Sequence, residues 1–278
     1  MKKIIKKINM RSLLSYITEK FNDAKNGDEF YTRLIDIEKA LSKFDFSNKI
    51  VYCNCDNPEF SNFYKYFKEN FNKLKLKKLY VTYYSDNPKL YTITTDGEKT
   101  EDIKSGRFQD NVDILKKSDI IVTNPPYSDD MPVELVELCL SNHKDFIIVG
   151  PLHLAIKRKM FEHLKNEEVF SMPISINTFD RPGGGTKNAP SCWWTNIYID
   201  RSFKASKKYD PNKYPKYDDY DAIDCKNYEN LPKDYDGVIG TSYRFICHMN
   251  KDDWELVDFK KLKLNGKATS TKLLIKRK

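Results

Sequence analysis

The chain has 278 residues, of which 40% are hydrophobic, and its 48 Lys and Arg outnumber 40 Asp and Glu for a net charge of +8. That length suits one α/β domain with a smaller appendage, and the basic surplus attracts polyanions, nucleic acid first. Six cysteines contain no Cys-x-x-Cys pair, which fits neither a zinc module nor a disulfide framework, so no metal is expected and the thiols are expected to be reduced.

In chain order, Met1 to Lys7 carries charges where a signal peptide needs an apolar core. With no apolar run of membrane length, a soluble, cytoplasmic protein is expected. Residues 9–25 predict an amphipathic helix with Leu13, Leu14, Ile17 and Phe21 on one side, ended by Gly27-Asp28. A helical stretch through Ile35, Ile37, Ala40 and Leu41 precedes a strand from Lys49 to Cys55. Asp56-Asn57-Pro58 turns the chain into a helix carrying Phe60, Phe63, Tyr64 and Phe67. The next strand falls within Leu76 to Tyr84, followed by a hairpin about Asp96-Gly97. A short helix at Val112, Ile114 and Leu115 leads into the strand Ile120-Ile121-Val122. Beyond it come a helix from Val133 to Leu140, a strand from Asp145 to Val149 and a helix from Leu154 to Leu164. Residues 169–178 read as a strand pair or loop, and Trp193 to Ile199 as a strand. After residue 200 the apolar periodicity weakens, with strands expected at Val238-Ile239-Gly240, Phe245 to Met249 and Trp254 to Phe259.

Strands alternating with helices from about 49 to 199 predict an α/β fold with a mostly parallel, doubly wound sheet. Ligands of such sheets sit at the carboxyl ends of the strands. Asp56, Asp86 and Asn124 all fall just past strand ends, so one crevice can hold a nucleotide-like cofactor and a base together.

The most informative residues are Asn124-Pro125-Pro126-Tyr127, directly after a buried-type strand. An exocyclic amine such as adenine N6 is a poor nucleophile because its lone pair is delocalised into the ring. Two acceptors against its two N–H groups pull the nitrogen toward tetrahedral geometry. The Asn124 side-chain oxygen can be one acceptor and the Pro125 carbonyl the other, since two prolines hold the loop extended. Tyr127 can stack on a base pulled out of its helix. The site then mainly orients, and no strong base is needed. The same letters also serve as ordinary loop punctuation.

At this point the chain resembles the EcoRI-type adenine-specific DNA methyltransferases, the modification enzymes of restriction systems. The resemblance is carried by Asp28-Glu29-Phe30-Tyr31-Thr32, by Val51-Tyr52-Cys53-Asn54-Cys55-Asp56 with Pro58, and by Ser61-Asn62-Phe63. It continues through Leu115-Lys116-Lys117-Ser118-Asp119 into Val122-Thr123-Asn124-Pro125-Pro126-Tyr127, then Pro215 to Asp218, Tyr220 to Ile223 and Tyr235 to Val238. Asn-Pro-Pro-Tyr alone says amino-methyltransferase. The Tyr-Cys-Asn-Cys-Asp run is more specific, because most methyltransferases carry a glycine-rich loop there.

The resemblance implies a Rossmann-like fold with a small C-terminal extension, S-adenosyl-L-methionine as donor and adenine N6 of a specific double-stranded DNA sequence as acceptor. It implies an arm over 1–26, a methyltransferase domain over 27–200 and an extension over 201–278 able to contact DNA. A monomer is expected, with a cognate restriction endonuclease as a partner acting on the same site. Tyr31, Thr32, Asn54, Cys55, Asp56 and Asp86 would hold the donor, Asp86 through its ribose, and Asn124 is counted with both donor and target. Asp56 has helix capping as its alternative role. Arg181, Lys187, Arg201, Lys207 and Lys208 are the candidate DNA contacts, with Phe179 to Lys187 read as a flexible loop that closes over DNA. One departure stands out: Gly106-Arg107-Phe108 occupies the place where such enzymes tend to carry an acidic residue, and Arg107 cannot accept a hydrogen bond. Asp110 can substitute. An RNA-adenine or protein-glutamine methyltransferase and a catalytically silent DNA-binding relative remain as alternatives.

Overall fold

The computed structural model describes residues 30–181, 184–201 and 203–278, so the helix expected over 9–25 lies outside the described residues. The described chain opens on a two-residue strand β1 (Tyr31–Thr32) and helix α1 (Leu34–Leu41), then alternates through β2 (Ile50–Cys53), α2 (Asn62–Glu69) and β3 (Lys78–Val81). A hairpin of β4 (Lys89–Thr94) and β5 (Gly97–Asp102) follows. Next come α3 (Val112–Lys117), β6 (Ile120–Thr123), α4 (Met131–Ser141), β7 (Asp145–Pro151) and α5 (Arg158–Lys165). β8 (Phe170–Asp180) and β9 (Thr186–Thr195) form a long hairpin. β10 (Ala222–Cys225), β11 (Val238–Thr241), β12 (Trp254–Leu264) and β13 (Lys267–Arg277) build a second sheet.

The first sheet has nine strands in the order β1-β8-β9-β7-β6-β2-β3-β4-β5. Its centre, β7-β6-β2-β3, is parallel. The strands outside that centre join antiparallel. The doubly wound α/β sheet is thus present, with its parallel part confined to four strands. All four residues of β6 are buried, as are three of four in β2, as expected where helices cover both faces. Alternate residues point to opposite faces. Val51, Val122 and Ile147 pack with Leu41 of α1 and Phe63 and Phe67 of α2. Tyr52, Ile121, Phe146 and Ile148 pack with Leu115 of α3, Val136 of α4 and Phe161 of α5. This second cluster continues into the C-terminal sheet through Ile223, Ile239, Trp254 and Ile275, so the two sheets share a core.

Three local expectations are corrected. Phe245 to Met249 is no strand: a 3-10 turn spans Tyr243–Cys247, started by the Ser242 side chain accepting from Arg244 N–H. Its adjacent apolar residues Phe245, Ile246 and Cys247 are all buried, which a one-sided strand would not allow. Residues 169–178 belong mostly to one long strand, β8, and β9 starts at Thr186 rather than Trp193. The early part of β9, Thr186 to Pro190, opens on three polar residues and is exposed or half-buried throughout, so apolar alternation does not reveal it.

Gly106 draws the loop after β5 against the loop after β3. A Cβ there would lie 2.0 Å from the Tyr83 carbonyl oxygen and 2.8 Å from Tyr84 Cα. Backbone cannot rotate away as a side chain can. Gly106→Ala is therefore expected to destabilise the fold by about 1–3 kcal/mol, read as a lowered denaturation midpoint at unchanged m-value. An unchanged midpoint would show that the two loops are free to separate.

Candidate active site

The site grows from the carboxyl edge of the parallel strands. β7 pairs with β9 as far as Pro151 opposite Ser191. β8 and β9 stay paired beyond that point, up to Asp180 opposite Thr186. The β8–β9 hairpin therefore projects past the end of β7 as a wall beside the loop that follows β6. β1 clips onto this wall, with Tyr31 opposite Asp180 and Thr32 opposite Phe179.

Asn124 is the first residue after β6. Its side-chain Nδ2 donates to the Phe30 carbonyl at 2.9 Å. A carbonyl can only accept, so this bond turns the amide nitrogen toward β1 and the oxygen away from it. The Asn124 Oδ1 is buried and has no hydrogen-bond partner among the described residues. Pro125 is buried and Pro126 exposed. The Tyr127 ring meets Phe30 edge-on at a centroid distance of 4.9 Å and Phe179 at 6.3 Å. Its hydroxyl donates to Ser191 Oγ at 3.1 Å. Burial raises the Tyr127 hydroxyl pKa, so it stays protonated.

Just past the end of the neighbouring strand β2, Asp56 is 2% exposed. Its carboxylate accepts from Ser61 Oγ at 2.7 Å and from Thr123 Oγ1 at 2.6 Å. Ser61 in turn accepts from Phe63 N–H and Tyr64 N–H and caps α2. Asp56 is therefore not the helix cap but the group that holds the cap, and its other oxygen holds the residue just before Asn124. Each oxygen thus holds one side chain of the protein, so Asp56 has a positioning role whatever else it meets. Desolvation pushes its pKa up to about 6, against the lowering effect of the Thr123 and Ser61 bonds. Close by, Asn62 Nδ2 donates to the Thr32 carbonyl at 2.9 Å, tying α2 to β1.

Thr32 Oγ1 and Asn54 Nδ2 join Asn124 Oδ1 as buried polar atoms without a partner among the described residues. Buried polar groups are ordinarily satisfied. These orphans lie on β1 and just past the carboxyl ends of β2 and β6, where a doubly wound sheet takes its ligand. They supply a donor and acceptors for a polar small molecule. Tyr31, whose ring lies 6.1 Å from Phe60, and the half-buried Cys55 belong to the same edge. Asp86 is exposed in the loop after β3. Arg107 is exposed, and Asp110 accepts from Ser105 Oγ at 2.7 Å.

The expected DNA contacts scatter. Arg181 and Lys187 stand on the projecting hairpin, with Lys187 Nζ 4.5 Å from the Phe30 ring centre. The segment from Phe179 to Lys187 is not a long flexible loop: its ends are paired strand, closed by Arg181 N–H to Gly185 O at 3.1 Å. Pro182 and Gly183 lie outside the described residues. Arg201 is 9% exposed, and its guanidinium donates to the carbonyls of Ile246, Met249 and Ser171. Its charge is spent inside the protein, which corrects its assignment to DNA. It lines a cavity of about 210 Å³ with Trp254 and Leu256, away from Asn124. Lys207 and Lys208 are exposed, and Lys207 bridges to Pro232 and accepts from Lys233 N–H, near Arg277 and Trp254 at the base of the C-terminal sheet.

Sequence reasoning did not single out Phe30, Ser61, Thr123 or Ser191 as parts of the site. Ser61 carried a local signal, a serine opening an amphipathic helix. Ser191 carried none, since it lies 64 residues from the tyrosine it holds.

A doubly wound sheet with an Asn-Pro-Pro-Tyr loop and orphaned polar groups on its carboxyl edge defines an α/β methyltransferase. A family profile described as adenine-specific methyltransferase EcoRI matches residues 18–106, 96–183 and 184–278, and the chain belongs to that family. It is similar to the type II methyltransferase M.EcoRI of Escherichia coli, 32% identical over 306 residues that cover 90% of this chain and 93% of that protein. It is also similar to M.MgeORF184P of Mycoplasma genitalium and M.MpnI of Mycoplasma pneumoniae, each 30% identical over 86% of this chain and 85% of the relative. No solved structure matches it.

Asp56 generates a test that needs no substrate. Its carboxyl titrates near 6 in the folded protein against an ordinary 3.8. The folded state therefore holds the proton more tightly, and the group favours folding at low pH. That contribution is lost as pH rises from about 4 to about 6, by about 3 kcal/mol at full effect. Asp56→Asn, which cannot ionise, should gain stability relative to wild type across that window. Parallel thermal melts of the two proteins from pH 4 to pH 8 measure this, and superimposable pH profiles would exclude a raised pKa.

Proposed function

We propose that this protein transfers a methyl group from S-adenosyl-L-methionine to N6 of adenine in a specific double-stranded DNA sequence, with the target base turned out of the helix. The observation that carries the reading is the Asn124 amide: its nitrogen is fixed on Phe30 and its buried oxygen is left as an acceptor. Burial strengthens what that oxygen can do, because no water competes for it. An amine N–H presented to Asn124 Oδ1 and another to the Pro125 carbonyl would leave the nitrogen lone pair aimed outward. The wall of Phe30, Tyr127 and Phe179 gives the base an apolar surround. Membership of an adenine-specific family supports adenine over other amines.

The donor side is supported by Thr32 Oγ1 and Asn54 Nδ2, the buried polar atoms that fit a ligand with both hydrogen-bonding senses. Tyr31, Thr32, Asn54 and Cys55 would hold the donor, with Asp86 at its ribose, while Asp56 acts through Ser61 and Thr123. When bound, S-adenosylmethionine supplies an electrophilic methyl group on a positively charged sulfur. The protein's own part is to orient the amine and exclude water. Cleavage control by a cognate endonuclease is the setting expected from the restriction–modification relatives.

Labelled donor offered to duplex DNA, RNA and protein in parallel, followed by sequencing of methylated adenines, tests the acceptor. Label on RNA or protein with none on DNA would overturn the reading. Asn124→Ala should cut the single-turnover rate by more than about tenfold, at least ~1.4 kcal/mol, while calorimetric donor binding is largely kept. Retention of more than a tenth of the rate would remove Asn124 from its role. Tyr127→Phe keeps the ring and loses only the bond to Ser191, about 1 kcal/mol, so a loss below tenfold is expected. Tyr127→Ala should cost a further roughly 1–3 kcal/mol if the ring stacks on the base. Equal loss from both variants would assign the role to the hydroxyl instead.

A further inference from the structure

Four exposed lysines of the C-terminal sheet gather around the turn of one ribbon, while Lys276, Arg277 and Lys278 stand at its other end. β12 and β13 pair down to Leu264 opposite Lys267 and turn through Asn265-Gly266, with φ of 51° and 73°, the left-handed pair that favours a tight hairpin. Lys260, Lys261, Lys263 and Lys267 surround this turn and are all exposed. None of the four is in an ion pair among the described residues. Lys260 Nζ rests over the Tyr220 ring at 4.9 Å.

The tip is also held in shape. Asp218 accepts from Asn265 N–H at 3.2 Å and from Gly266 N–H at 2.7 Å, and Asp219 accepts from Lys263 N–H at 2.8 Å. These two carboxylates are aimed at backbone, not at the lysine ammonium groups. Lower in the sheet, the buried pair Lys272–Asp224 at 2.9 Å, with the Tyr217 hydroxyl on the same oxygen, pins β13 to β10. A fixed array of charges loses less entropy on binding than free side chains on a loose loop.

Its direction follows from α5. The residue before α5, Lys157, pairs with Asp130 just past Tyr127, at 2.9 Å. The first residue of α5, Arg158, meets Asp258 and the Phe259 ring, while Lys165 at the other end reaches the Val257 carbonyl. β12 therefore runs toward the end of α5 that lies near the Asn124 to Tyr127 loop. From Phe259 the ribbon continues six residues to its turn, roughly 20 Å at about 3.3 Å per residue. The lysine tip projects on the side of the catalytic edge, whereas Lys207 and Lys208 lie at the ribbon's opposite end.

We propose that this tip is an arm that grips the phosphate backbone of double-stranded DNA beside the target site, an inference that rests on the DNA reading above. Lysines act as point charges suited to phosphate rather than as bidentate readers of base edges. A single strand would call for stacking surfaces among the charges, and the tip residues Lys260 to Lys267 include no aromatic side chain.

The test compares two variants of equal charge. One replaces Lys260, Lys261, Lys263 and Lys267 with Gln; the control makes the same change at Lys43, Lys65, Lys73 and Lys77, which are exposed on α2 and the amino-end loops of the first sheet. The ribbon variant should bind duplex at least about tenfold more weakly, equally for target and unrelated sequences. Its plot of log affinity against log salt should be shallower by about 3 to 4. Donor binding and the rate at saturating DNA should be unchanged. Lys261→Gln alone should reduce the slope by about 1. A ribbon variant with wild-type affinity and slope, or a control variant that loses as much, overturns the arm. If wild-type protein neither binds nor methylates duplex DNA, the underlying DNA reading fails, and that outcome is recognisable before any variant is made.

Discussion

Three loops at the carboxyl edge of the parallel sheet are tied together by one buried carboxylate. Asp56 has an oxygen on Ser61 and an oxygen on Thr123, so it joins the start of α2 to the last residue of β6. Its backbone N–H donates to the Thr82 carbonyl and Thr82 N–H to the Cys53 carbonyl, which closes the end of β3 into the same unit. Tyr52 and Thr82 share a further bond of 2.7 Å between their hydroxyls. Burying an ionisable acid costs stability, and the raised pKa expresses that cost. The return is geometric. Most methyltransferases bend the loop after the first core strand with glycines, which are permissive but loose. Here hydrogen bonds take over: the Asp56 carboxylate holds Ser61 and Thr123, and its backbone N–H and the Tyr52–Thr82 hydroxyl pair hold the end of β3.

The second constraint is the clip of β1 on the β8–β9 hairpin. Without it the Phe30 carbonyl would not stand opposite Asn124, and the amide could present either end to a ligand. Two residues of pairing are a small interface for so specific a task. The Asn62–Thr32 bond and the packing of Phe30 between Tyr127 and Phe179 reinforce it. The site is thus assembled from residues distant in sequence: Phe30, Asn124, Tyr127, Phe179 and Ser191 meet because the hairpin outgrows the sheet it flanks.

The parallel core was readable in the sequence because its signals are local. Ile120-Ile121-Val122, Asp145 to Val149 and the helix after Pro58 each declare themselves by period and flanking residues. The Asn-Pro-Pro-Tyr loop was readable for the same reason. The flanks were harder, since β9 begins in polar residues and the 3-10 turn at Tyr243–Cys247 imitates a strand. The Asn265-Gly266 turn was a strong hairpin signal that the crowding of lysines around it masked. Roles set by burial could not be read at all: Arg201 and Lys187 look alike as letters, yet one is sealed among backbone carbonyls and the other sits over Phe30.

Net charge is consequently a poor guide to where a polyanion would sit. Of the surface cations, several are paired in place: half-buried Lys251 and exposed Lys278 share Glu167, Lys159 meets Glu137, and Lys68 meets Glu98. Around Asn124 the wall is aromatic and Asp56 is enclosed, while Lys187 over the Phe30 ring and the Asp130–Lys157 pair are charged groups beside it. The aromatic wall suits the proposed chemistry. A cationic donor and a neutral base need an apolar, oriented pocket in which no protein charge favours the ground state. A polyanionic acceptor needs its counter-charges elsewhere, on rigid supports that reach past the pocket. Among the described residues two β-hairpins are candidates for that role, the β8–β9 hairpin and the one that turns at Asn265-Gly266. Hairpins serve because their shape is set by the ladder and the turn, so charge can be carried outward without the entropy that a long loop would lose on binding.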